Sequence, residues 1–363
     1  MRKREFLKSS LFAVGGLGLC SAGSVSLYAS SKPSVSGGKG VSYLNSAKVN
    51  KREKVLAVLD QSKPNEYVPA AFFLHFKDKL GQGAIDSHLQ FFRATNMDLV
   101  KVQYEIVVPH LENIKSPKDW AKIPVYGKDF FEPQLEVIGA LAKELKSEAL
   151  ILPTVYSPLT LALQTVGKDA LEHIKQDPDA VAKGLRNITE SIVNYIDEAV
   201  LRGADGFYIS TQGGNSKFFG EGELFEKTVV PYDNTVSQEA GDKALLNILH
   251  ICDYGESYYT RIGQFASYPG SIINAPNRLL DGTPIKIKEV QETFHRPVMG
   301  GLDRLGVLAK GTVEEAKAEV DKVLKEASPN FILGADCTVP SDVPYQKLRA
   351  VIDYAHDWRI NNG

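Results

Sequence analysis

From about residue 51 onward the chain alternates short apolar runs with longer stretches whose apolar residues recur at helical spacing, and this alternation limits the fold more than any other feature. Eight runs read as strands, at 68–74, 98–103, 149–155, 206–209, 246–252, 271–274, 297–300 and 330–333. The stretches between them, such as 177–202 and 313–327, read as amphipathic helices, and Thr312 with Glu315 opens the latter with a capping box. Strand then helix, repeated, requires parallel strands joined by helical crossovers. In a chain of 363 residues, 43% hydrophobic and 24% charged, the economical α/β solution is a closed (β/α)8 TIM-type barrel over 51–363. The competing doubly wound open sheet lacks the glycine-rich phosphate loop expected after its first strand.

In such barrels the reacting groups stand at the carboxyl ends of the strands. That rule selects His75 after the first strand, Tyr104 and Glu105 after the second, and Gln212 within Ser210 to Gly214 after the fourth. It further selects His250 and Cys252 on the fifth strand, Asn274 on the sixth, Asp303 beyond Gly300-Gly301, and Asp336 with Cys337 after the last. His75, Tyr104, Gln212 and Asp303 are the candidates for catalytic contact with a substrate. Three of them also have a structural use: His75 beside Phe76 can pack, Gln212 can shape its turn, and aspartates before helices commonly cap them.

The chain has three cysteines, and Cys20 falls in the amino-terminal leader. His250 and Cys252 stand two apart on a strand, which puts both side chains on one face, and Cys337 reaches the same end of the barrel. An imidazole and two thiolates are the donors a zinc ion prefers, with a fourth position left for another residue, water or substrate. Histidine and cysteine on apolar strands also serve as buried packing residues. The convergence of positions so distant in sequence on one rim supports the metal.

The first 50 residues read differently. Arg2, Lys3, Arg4 and Lys8 precede an apolar stretch at 11–19 and a small-residue exit at 26–31, the three parts of an export signal. Lys3-Arg4-Glu5-Phe6-Leu7-Lys8 resembles a twin-arginine signal with lysine in the first arginine's place. Residues 1–31 are therefore expected to be a signal peptide and 32–50 a flexible linker. The mature protein is expected to be periplasmic, with no transmembrane domain beyond the signal. A net charge of −2, with no basic run interleaved with aromatics, gives no basis for a nucleic-acid partner.

Pro297-Val298-Met299-Gly300-Gly301-Leu302-Asp303, Gly311-Thr312, Phe331-Ile332-Leu333-Gly334 before Cys337, and Ala204-Asp205-Gly206 together resemble the uroporphyrinogen decarboxylase superfamily. The resemblance implies a TIM-type barrel and one of two chemistries. One is decarboxylation of a porphyrinogen without cofactor; the other is zinc-dependent methyl transfer from a corrinoid to a thiol such as coenzyme M. Decarboxylases of the superfamily carry an arginine motif after the first strand, where this chain has Phe72-Phe73-Leu74-His75-Phe76, and Gln164 stands in place of their tyrosine. The methyltransferase branch is marked by His-x-Cys and a distant Cys, matched here by His250, Cys252 and Cys337. The resemblance thus implies a bound Zn2+, a methylcorrinoid as methyl donor, a small thiol or methylated substrate, and a corrinoid protein as partner. The remaining alternatives are the decarboxylase reaction and non-catalytic binding of a tetrapyrrole or metal.

Overall fold

A computed structural model describes residues 49–255 and 257–362. The expected signal peptide, and the expected linker apart from residues 49 and 50, lie outside the described residues. Asn50 already belongs to the folded part, because its side chain accepts from the Glu53 amide and caps the helix Lys51–Ala57.

Seven strands follow in chain order: β1 (Leu99–Val102), β2 (Leu150–Tyr156), β3 (Gly206–Thr211), β4 (Leu246–Ile251), β5 (Ile272–Asn274), β6 (Val298–Leu302) and β7 (Phe331–Ala335). All neighbouring pairs are parallel, and the spatial order is the chain order. Their residues are almost continuously buried, as a parallel sheet covered by helices on its outer side requires. The long helices Lys128–Leu145 and Pro178–Leu201 and the helices Val313–Glu326 and Tyr345–Asn362 belong to that outer layer. Asp177, with Pro178 at the first helical position, starts the longest of them as the sequence pattern predicts.

The remaining predicted strand, 68–74, the first in chain order, differs from expectation. It makes one ladder bridge, Ala70 to Leu333, and is otherwise irregular. It nevertheless fills the interval between β7 and β1. Leu333 donates to the Pro69 carbonyl (2.8 Å), Ala71 donates to Leu333 (3.0 Å), and the Asp98 amide donates to the Ala70 carbonyl (2.9 Å). Two residues prevent a longer ladder. Pro69 has no amide to give, and the Ala70 amide is taken by the Asp98 carboxylate at 2.8 Å. That carboxylate, fully buried, also accepts from Tyr67 Oη (2.7 Å) and pairs with His356 Nε2 (2.7 Å). The ring of eight staves is therefore closed by seven strands and one pinned segment, which is the TIM-type architecture.

Contacts that skip strands identify the barrel interior. Tyr208 on β3 donates to Asn274 on β5 at 2.7 Å, and the Lys101 ammonium on β1 lies 4.7 Å from the Tyr208 ring. Among the described residues no helix is long and apolar enough to cross a membrane.

Candidate metal centre

β4 and β7 each deliver ligands at their carboxyl ends. His250 is the penultimate residue of β4 and pairs in register with Ser210 on β3 and Asn274 on β5. Cys252 follows the strand directly, its amide still bonded to the Thr211 carbonyl at 3.1 Å. Cys337 stands two residues past β7, after Asp336, whose amide donates to Leu302 at the end of β6 (2.9 Å). Backbone hydrogen bonds thus set all three positions.

The donor atoms of His250, Cys252 and Cys337 lie within 4.8 Å of one another, and all three side chains are buried. Cys337 Sγ is 3.4 Å from His250 Nε2. Two ligands of one tetrahedral zinc, at 2.0–2.3 Å from it, stand about 3.6 Å apart. Donor chemistry and spacing both fit zinc. The other ring nitrogen, His250 Nδ1, is buried with no hydrogen-bond partner among the described residues. The two cysteines are free, and they share their protons unequally. A hydrogen bond from Cys337, helped by His250, holds the Cys252 thiol well below its ordinary value, while the same bond and burial push Cys337 well above. Ionisation of Cys252 is thus favoured over that of Cys337, and a bound cation would favour both thiolates.

Around this cluster the interior is aromatic and carries a buried lysine. The Tyr208 ring lies 4.9 Å from the His250 ring. Lys101 is buried between Phe73 (5.2 Å) and Tyr208 (4.7 Å), and its hydrogen bond goes to Gln103 Oε1. Burial pulls its ammonium down to about 8, against the attraction of Cys337, Cys252 and Glu105.

The remaining predicted residues are distributed around the mouth. His75 Nδ1 pairs with Glu105 Oε1 at 2.9 Å, and Lys79 adds a second contact at 3.2 Å. Against the upward push of burial, these partners draw the Glu105 carboxyl below its ordinary value. The Tyr104 ring meets those of Tyr156 (5.4 Å) and Tyr195 (5.5 Å) edge to face, and its hydroxyl is buried. Gln212 is half-buried in the loop after β3. Asp303 Oδ1 accepts from the Leu305 amide at 2.8 Å, so its carboxylate closes its own turn. The structure therefore gathers His250, Cys252 and Cys337 in one cluster, joins His75 to Glu105, sets the Tyr104 ring against Tyr156 and Tyr195, and turns the Asp303 carboxylate onto the Leu305 amide.

Sequence reasoning passed over Lys101, Asp253 and Arg304. A lysine inside the apolar strand Leu99-Val100-Lys101-Val102 was the available signal for the first. For the others it was a carboxylate next to each ligand cysteine, with an arginine ending the loop between.

Residues 92–358 match the family Uroporphyrinogen decarboxylase (URO-D). A Methylcobamide:CoM methyltransferase (MtbA) of Methanosarcina mazei is 24% identical over 263 residues, covering 71% of this chain and 73% of the relative. The enzyme of the same name from Methanosarcina acetivorans is 22% identical over an equal span. Among solved structures, a methyltransferase from Methanosarcina mazei superposes with a TM-score of 0.69 at 14% identity, covering 85% of this chain and 99% of the other. That likeness speaks for the fold. The family match spans most of the chain, barrel strands and all three clustered ligands included, and this protein belongs to the uroporphyrinogen decarboxylase family.

Proposed function

We propose that the protein is a zinc-dependent methyltransferase of this family, acting after export on a small thiol or methylated compound with a corrinoid, free or protein-borne, as the methyl carrier. The observation that carries this reading is the convergence of His250, Cys252 and Cys337 within 4.8 Å at the carboxyl rim of the barrel. The two relatives named as Methylcobamide:CoM methyltransferases support the same branch. The leader pattern of residues 2–31 supports export.

His250, Cys252 and Cys337 would hold the ion and leave its fourth position to the acceptor. The chemistry a zinc ion supplies there is acidification of a thiol, so that the acceptor sulfur is a nucleophile at neutral pH. Methyl transfer then forms one S–C bond from a sulfur lone pair and breaks the bond between methyl and donor, whose electron pair stays on the donor. The thiol's proton leaves to solvent as the sulfur enters.

The chain's own residues are arranged for an anionic acceptor. A zinc ion held by one imidazole and two thiolates would be neutral, so an acceptor thiolate would bring the site one negative charge. Lys101 supplies one positive charge in the same low-dielectric interior, and a buried ammonium without a carboxylate partner is costly unless an anion is near. The rings of Phe73 and Tyr208 keep that charge from water. At the mouth, His75 and Glu105 form the polar pair that an entering substrate meets.

Metal analysis and a methyl-transfer assay test the reading together. Purified protein should hold close to one zinc per chain and methylate a thiol from methylcobalamin, and both properties should vanish in Cys252→Ser and Cys337→Ser. Turnover of a porphyrinogen by metal-stripped protein would instead establish the decarboxylase reaction. Tight tetrapyrrole binding without any product would establish a carrier.

A further inference from the structure

β4 and β7, which carry the sulfur ligands, are not neighbours. β5 and β6 lie between them, so no single ladder joins the strand of Cys252 directly to the strand of Cys337. A buried charge cluster does. Asp253 directly follows Cys252, and Asp336 directly precedes Cys337. One nitrogen of Arg304, Nη1, donates to both carboxylates, at 2.8 Å to Asp253 Oδ1 and 2.8 Å to Asp336 Oδ2. The Arg304 amide donates to the other oxygen of Asp336, also at 2.8 Å. The three side chains are 10%, 3% and 4% exposed, so these bonds are sheltered from competing water.

Arg304 is itself held in place. It sits in the turn after β6, whose penultimate residue Gly301 adopts φ +103°, a conformation glycine reaches without strain; a Cβ there would also come within 2.5 Å of Val323. Asp303 closes the same turn by accepting from Leu305 with its side chain and from Gly306 (3.1 Å) with its carbonyl. A rigid turn on β6 thus offers one guanidinium to the two residues that flank the sulfur ligands.

We propose that Arg304 is a positioning residue of the metal centre, fixing the separation and direction of Cys252 and Cys337 and thereby setting how tightly, and with how many thiolates, the site grips its ion. The inference rests on the metal reading given above. An ion pair that only stabilised the fold would leave metal binding unchanged in any variant that still folds, and this separates the two roles.

The full chain is loaded with Co2+ in place of Zn2+. Its sulfur-to-metal absorption band reports how many thiolates bind, and competition with a chromogenic chelator gives zinc affinity. Arg304→Met, confirmed folded by circular dichroism, is expected to bind zinc about 10- to 100-fold more weakly, the range seen when outer-sphere partners of metal ligands are removed, with a reduced Co2+ band. Arg304→Lys, a point charge in place of a planar fork, is expected to recover part of that loss. Asp253→Asn, which leaves Arg304 and Asp336 balanced, guards against a variant that fails to fold and is expected to lose about tenfold. Wild-type zinc affinity and an unchanged Co2+ spectrum in the folded variants overturn the positioning role. If the unaltered chain binds neither ion, the metal reading of the site falls instead, so the two failures are told apart.

Discussion

Cys337 Sγ stands 3.4 Å from His250 Nε2, although 87 residues separate the two in sequence. Only a sheet whose strands end on one rim brings such positions together, and the register of β4 through β7 does so here. The first prediction follows from that contact. Cys252→Ser and Cys337→Ser each replace a soft, readily ionised donor by a hydroxyl that does not ionise at neutral pH. Zinc content measured by atomic emission should fall from near one per chain to trace, a loss exceeding the roughly 10- to 100-fold that removal of a supporting partner costs. Because serine fills nearly the same volume, thermal stability of the chelator-treated protein should change by only about 1 kcal/mol. Full zinc occupancy in both variants would dismiss this cluster as the metal site.

Lys101 gives the second prediction. Its buried ammonium is pulled down to about 8 by desolvation, so below that pH the folded protein carries a charge it solvates poorly. Lys101→Met should therefore be at least as stable as the parent at pH 7. For a lysine with a depressed folded value, the unfolded chain holds the extra proton between about 8 and its ordinary 10.5, so the parent gains stability as pH rises through that window. The advantage of the methionine variant should shrink there. Function should move oppositely: losing one unit of positive charge beside an anionic acceptor should raise the KM for the thiol about tenfold, which is about 1.4 kcal/mol. An unchanged KM across pH 6 to 8 would remove Lys101 from the account of acceptor binding.

Particular residues show how far the sequence was legible. Seven of the eight predicted strands form, because buried parallel strands read as continuous apolar runs bounded by helical periods, and Leu246–Ile251 and Phe331–Ala335 are such runs. His250 and Cys252 were legible because a strand's period of two is local information, and Cys337 because barrel topology sends strand ends to one rim. The irregularity of 68–74 was not, since it depends on Asp98 capturing the Ala70 amide, a contact across 28 residues. Tyr104 has packing partners that were hidden for a related reason. It follows a strand end, and the edge-to-face contacts of its ring with Tyr156 and Tyr195 are ones that no strand rule specifies. The Arg304 pairs with Asp253 and Asp336 join residues 51 and 32 positions apart and leave no periodic trace.

A third prediction concerns closure of the ring. Asp98 carries the only side chain that ties the segment 68–74, β1 and the last helix together among the described hydrogen bonds, through Ala70, Tyr67 and His356. Asp98→Ala leaves a buried amide, hydroxyl and imidazole without that acceptor, and breaking a buried network of this kind costs about 3–5 kcal/mol. The midpoint of urea denaturation should fall accordingly. Zinc stoichiometry of the folded fraction should stay at the parent value, because Asp98 precedes β1 and so lies at the rim opposite the cluster. A midpoint within error of the parent would show that 68–74 closes the barrel without this carboxylate.

The fourth prediction comes from a carboxyl group without a cation. Asp233, on the helix Val230–Lys243, is fully enclosed; burial raises it to about 7, partly offset by Thr211, which donates to one oxygen, and by the nearby Tyr268 hydroxyl. Its other oxygen, Oδ1, has no partner among the described residues. Folded Asp233 therefore keeps its proton up to about pH 7, while the unfolded chain releases it near 3.8. Between those values the native state binds one more proton than the unfolded state, so the group's contribution is fully present below 3.8 and is lost as pH climbs towards 7. Asp233→Asn, neutral at every pH and still able to accept from Thr211, should abolish that slope. Unfolding free energies of parent and variant should lie close together below about pH 3.8 and diverge in favour of the variant by pH 8, by an amount on the order of a few kcal/mol. A variant that is less stable than the parent at pH 8 would mean that the ionised carboxylate is solvated by something the surrounding side chains do not supply.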